Sequence, residues 1–198
     1  MAASYSSSSY PRRFLETDRQ LQEQYENLTT ALFSLRVPPL IDGTYLPPLV
    51  ALDALMKALG DVMGALRYRL DEYEWEYARV VTGTDAFATP HIHIYVWING
   101  QPSSTELEPV VEKFVEKCSF APNDGYGNRA DEGALTLYYE QEFTESDETA
   151  GIVYIATQLP HIAYVDEVDD VLLEWGAVAH ATSPTLVTCP YMPRIVIK

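Results

Sequence analysis

The chain has 198 residues, 47% of them apolar, and 13 Lys and Arg against 29 Asp and Glu give a net charge of −16. That length and apolar content suit one ordinary domain with a real core and exclude wholesale disorder. No apolar run approaches the roughly 18 residues that a membrane-spanning helix needs, and two cysteines, Cys118 and Cys189, make neither a disulfide framework nor a four-ligand zinc site.

Residues 1–24 read as a flexible or partly helical N-terminal segment. It opens with a serine-rich stretch and continues with a charged run from Pro11 to Gln24 that suits a short helix. No signal-peptide pattern precedes it, so a cytoplasmic protein with two buried thiols is expected. Residues 25–198 read as a single domain. Asn27 to Arg36, rich in threonine, leucine and phenylalanine, predicts a strand that Val37-Pro38-Pro39 ends. Asp42-Gly43 marks a turn. Pro47-Pro48 opens a long helix, because proline in a first turn loses no hydrogen bond. Leu52, Leu55, Met56, Leu59, Val62, Met63, Leu66 and Leu70 then recur at helical spacing and form one apolar face.

Trp75 to Thr82 predicts a second strand and His91 to Ile98 a third, closed by Asn99-Gly100. Glu106 to Cys118 is helical in pattern, with Pro109 suggesting a start near Glu108. A loop follows over 121–133 and a strand over 134–143. Residues 151–159 suit either a strand or a short helix, and short strands with loops follow to Lys198. The order predicts an α+β fold with a central, mostly antiparallel sheet flanked by helices.

The chemistry concentrates in the third strand. Alternation places His91, His93, Tyr95 and Trp97 on one face and Ile92, Ile94, Val96 and Ile98 on the other, which must be the core. Two imidazoles about 6–7 Å apart along a strand, twice the residue rise, can converge on one divalent cation. A bare His-x-His pair is more often two surface residues. Its place at the start of a strand, beside a small-residue loop, favours a site. Asp85 in that loop is the candidate carboxylate ligand, with Glu74 and Glu76 as rivals. No serine sits in a nucleophile elbow and no Gly-rich phosphate loop is present. Tyr154 shares a face with Gln158 if 151–159 is a helix, although packing is the commoner role of such a tyrosine.

The acidic balance argues against nucleic-acid binding at ordinary salt. Scattered acids also suit a molar-salt cytoplasm, where the counterion-release term that rewards basic patches nearly vanishes. The charge therefore does not veto a DNA partner.

Three segments together resemble the HUH endonucleases, and most closely the rolling-circle replication initiators (Rep proteins) of haloarchaeal plasmids and viruses. Asn27 to Arg36 looks like the family's first motif. Thr89-Pro90-His91-Ile92-His93-Ile94-Tyr95-Val96-Trp97 looks like its metal-binding second motif. Val153-Tyr154-Ile155-Ala156-Thr157-Gln158-Leu159 falls where a tyrosine-bearing helix should be. The likeness spans roughly residues 25–185. It implies an HUH-type domain with a ferredoxin-like or RRM-like core, and a metal-dependent endonuclease that nicks and rejoins single-stranded DNA at a replication origin through a covalent phosphotyrosine. It further implies Mg2+ or Mn2+ held by His91, His93 and Asp85, Tyr154 as nucleophile, and the host replication machinery as partner. The chain departs from the pattern at Thr157 and Gln158, where many relatives carry lysine and a second tyrosine. Thr82 and Thr84 lie near the offset where many carry a glutamate ligand. A non-catalytic DNA-binding relative is the alternative from another class. A histidine-triad nucleotide hydrolase is weaker, because its third histidine is Tyr95 here.

Overall fold

The computed structural model describes residues 9–83, 89–122, 133–139, 149, 151–152 and 187–188. In chain order these form α1 (Ser9–Gln24), β1 (Leu28–Arg36), β2 (Leu40–Ile41), β3 (Thr44–Tyr45), α2 (Pro48–Arg69), β4 (Glu74–Gly83), β5 (Pro90–Asn99), α3 (Ser104–Lys117), β6 (Leu135–Tyr139) and β7 (Val187–Thr188). Asp42 and Gly43, with φ of 49° and 76°, turn β2 into β3 as a two-residue hairpin.

The main sheet has the order β6-β1-β5-β4-β7, and every pairing in it is antiparallel. Because β1 and β4 both run against β5, they are parallel to each other with β5 between them. By the same logic β5 and β6 are parallel, with β1 between them. Two split β-α-β units, β1-α2-β4 and β5-α3-β6, thus interleave into the ferredoxin-like arrangement. The fold is α+β, as the element order predicts.

One sheet face carries the main core. Phe33, Leu35, Ile92, Ile94, Val96 and Ile98 pack there against Leu55, Leu59, Val62 and Leu66 of α2 and Val110, Val111 and Phe114 of α3. α3 begins at Ser104, four residues before the start that Pro109 suggests. Ser103 caps it, with Glu106 closing a capping box, and Leu107, Val110, Val111 and Phe114 are buried around the proline inside the helix.

The opposite face is not the exposed side that alternation implies. Phe14 and Leu21 of α1, with Tyr25, pack there against Leu28, Leu32, Ala78, Val80, Tyr95, Trp97 and Ile152. The sheet is therefore buried on both sides, and β5 is its central strand. The face that carries the histidines is itself a second core.

Candidate metal centre

Register on β5 decides which side chains surround the histidines. His93 pairs with Ser34 of β1 and Val80 of β4; His91 pairs with Arg36 and Thr82. Directly opposed residues point to the same face. Ser34 and Arg36 therefore join the two imidazoles from one side, and Val80 and Thr82 from the other.

The rings lie with centroids 4.7 Å apart and planes at 87°. That is close enough for one nitrogen of each ring to reach a single ion at roughly 2.1 Å. Ser34 Oγ sits 3.0 Å from His93 Nδ1. When Nδ1–H donates to Ser34, the lone pair falls on Nε2, the tautomer that a ligand histidine needs. His91 Nδ1 is buried and has no hydrogen-bond partner among the described residues. Buried ring nitrogens are rarely left without a partner, so a cation suits this one.

Both imidazoles are held neutral. Burial, the nearby His91 and the Arg36 guanidinium push His93 down to about 3. Burial also lowers His91; a backbone hydrogen bond to Thr89 opposes the shift and Arg36 adds to it. A neutral imidazole has the free lone pair that a metal requires, so the donor set fits a divalent cation.

The carboxylate candidates separate. Glu76 lies opposite Trp97 while Thr82 lies opposite His91, six positions further along β4. At the strand rise this is about 20 Å. Glu74 sits further still, beside Asn99, where its carboxylate accepts hydrogen bonds from Gln24 and Asn99. Neither reaches the histidines. Among the described residues no third His, Cys, Asp or Glu completes the pair. Asp85 and Tyr154 lie outside the described residues.

Sequence reasoning did not single out Ser34 or Arg36, because only the pairing register places them beside the imidazoles. Asp18 was not singled out either. It reads as one acid of a charged run, but it is 0% exposed. Its carboxylate accepts from Trp97 Nε1 at 2.6 Å and from the Thr149 backbone N–H at 2.8 Å. The Thr149 hydroxyl also contacts Asp18 and lies 2.7 Å from the Tyr95 hydroxyl. Burial pushes the Tyr95 phenol far above its ordinary range, so it stays protonated beside Thr149.

Comparison with known proteins follows the same boundaries. A family described as "Putative rep protein (DUF1424)" matches residues 8–165, which takes in the elements from α1 to β6 and both histidines. An uncharacterized 36 kDa protein of Halobacterium salinarum is 28% identical over 125 residues, covering 61% of this chain and 39% of that protein. The chain thus spans about two-fifths of the length of the curated relative that it matches. No solved structure matches.

Proposed function

From the premise that this chain belongs to the DUF1424 family of rep proteins, a replication-initiator-like family, we propose that it nicks and rejoins single-stranded DNA at a replication origin. The observation that carries the reading is the pair of imidazoles on neighbouring same-face positions of β5, His91 half-buried and His93 buried, neutral and hydrogen-bonded to Ser34. His91 and His93 would hold a divalent cation, Mg2+ or Mn2+, with Asp85 as the proposed third ligand. Such a cation, when bound, supplies Lewis-acid polarisation of the scissile phosphate.

Tyr154 is the proposed nucleophile. Its phenolic oxygen attacks phosphorus in line and forms a P–O bond to the 5′ phosphate of the downstream fragment, while the P–O3′ bond to the upstream fragment breaks. The tyrosine proton is lost to solvent, and the departing oxygen takes up a proton to become a 3′-hydroxyl. Covalent capture keeps the energy of the broken bond, so the same site can rejoin strands. The freed 3′-hydroxyl is then a primer for the host's replication machinery. Arg36, opposite His91 at the end of β1, supplies positive charge where the phosphate would lie.

The test is a cleavage assay in molar KCl with Mn2+ and single-stranded oligonucleotides tiled across the encoding replicon, read as a protein–DNA adduct on a denaturing gel. We expect an adduct that needs Mn2+, vanishes in Tyr154→Phe, and falls with metal affinity in His91→Ala and His93→Ala. DNA binding without an adduct from any oligonucleotide would overturn the nicking reading in favour of an accessory DNA-binding protein.

A further inference from the structure

Asp18 is a costly residue to place where it stands. A carboxylate removed from water loses its hydration, and apolar packing would fill the same space without that loss. Its compensation is specific. Four donor groups converge on it: Trp97 Nε1, the Thr149 backbone N–H, the Thr149 hydroxyl and Gln22 Nε2. Two of these belong to a chain position 131 residues away. The Tyr95 hydroxyl holds Thr149 from the β5 side.

The chain just beyond Thr149 is tightly seated. Ile152 N–H donates to the Thr149 carbonyl at 3.3 Å, and Ile152 is fully buried in the second core. Gly151 has φ +87°, and a side chain there would begin 3.1 Å from the Tyr95 ring and 3.5 Å from the Tyr138 ring. The anchor point is thus fixed on the histidine-bearing face. Tyr95 is two positions from His93 along β5, about 6.6 Å at the strand rise. Tyr154 follows Ile152 by two residues, which no extended chain can stretch beyond about 7 Å.

We propose that Asp18 is a positioning residue for the nucleophile: by clamping Thr149 to Trp97 and Tyr95, it anchors the chain five residues before Tyr154. The inference rests on the reading of Tyr154 as nucleophile. It also assigns α1 a part in the reaction, because Asp18 hydrogen-bonds this helix to the segment.

The experiment compares wild type, Asp18→Asn, Thr149→Val and Thr149→Ser. Single-turnover adduct formation on the tiled oligonucleotides is measured beside Mn2+ affinity and amide exchange at 149–152 and along β5. Asp18→Asn turns an amide toward a donor and should slow adduct formation at least tenfold. Mn2+ affinity should stay within twofold, and exchange should accelerate at 149–152 but not in β5. Thr149→Val should fall in the same direction and Thr149→Ser should restore the wild-type rate; this pair decides the matter if Asp18→Asn does not fold. Wild-type capture by Asp18→Asn, or a parallel loss of capture and Mn2+ affinity, would overturn the positioning role while the nuclease stands. No adduct from wild type would overturn both.

Discussion

His93 owes its charge state to its neighbours. It is 3% exposed on the central strand, and the ring stays neutral far below the pH at which a free histidine takes up a proton. Two consequences follow. Protons compete with a cation for an imidazole only near its pKa, so Mn2+ affinity should weaken less between pH 8 and pH 5 than at a site of exposed histidines, which weakens steadily below 6.5. Calorimetric titration at each pH checks this. The sign for stability is the usual one for a base whose folded value is depressed. Between about 6.5 and 3 the unfolded chain binds more protons at this position, so stability is full above 6.5 and falls as pH falls, by up to about 1.4 kcal/mol per unit. Urea unfolding of wild type and His93→Gln should show the gap between them narrowing as pH drops from 7 to 4. Ser34 is the second lever. Ser34→Ala removes the partner of Nδ1 and should lower metal affinity about 10- to 100-fold, the usual effect of losing a hydrogen bond that orients a ligand. Unchanged affinity would show that packing alone fixes the ring.

α1 and β5 together build the second core. Phe14 is 0% exposed and sits in the cluster that covers Tyr95 and Trp97. Phe14→Ala should cost about 3–5 kcal/mol by cavity formation. If α1 is integral to the histidine-bearing face, denaturant unfolding should remain one transition with a lower midpoint; a separate early transition would mark α1 as an appendage. Gly151→Ala is a sharper probe of the same packing. It forces a side chain into a left-handed backbone position and against Tyr95, and should be more damaging than Gly60→Ala or Gly64→Ala, where nothing lies within 4 Å of the added carbon. β5 and α2 were legible because their periods are unambiguous, alternation in His91 to Ile98 and threes and fours in Leu52 to Leu70; β2 and β3, two residues each, leave no period to read. The start of α3 is misjudged from sequence because Pro109 is a louder local signal than Ser103 and Glu106, whose capping box marks the observed start. The second core was not legible. Its α1 side rests on Phe14 and Leu21 in a run otherwise dominated by charge, and only tertiary packing reveals that Asp18 faces inward. The histidine pair was legible as a pattern; Ser34 and Arg36 became its neighbours only through a register that joins positions 59 and 55 residues apart.

The whole molecule combines a ferredoxin-like sheet buried on both faces with a net charge of −16. Self-repulsion on that scale is weak when screening acts within about 3 Å, as at 1 M salt, and considerable at about 10 Å, as at 0.1 M. The melting temperature should therefore fall on dilution from 2 M to 0.1 M KCl, which circular dichroism can follow. The same charge would constrain how the proposed DNA partner is held. A protein that gathers a strand by many cations releases one set of counterions per phosphate, with a slope near −0.7 per contact for single strands. Here 13 basic residues are set against 29 acids, and Arg36 is the cation whose charge acts on both histidines. Affinity for a single-stranded oligonucleotide should then vary shallowly with KCl, with a log–log slope smaller in magnitude than about 2. Arg36→Gln should reduce that slope by roughly 0.7 while leaving the fold intact, since Arg36 lies at the exposed end of β1. A steep slope, or one unchanged in Arg36→Gln, would place the DNA on some other surface, because a strand whose phosphate sits beside the two imidazoles must pass this guanidinium.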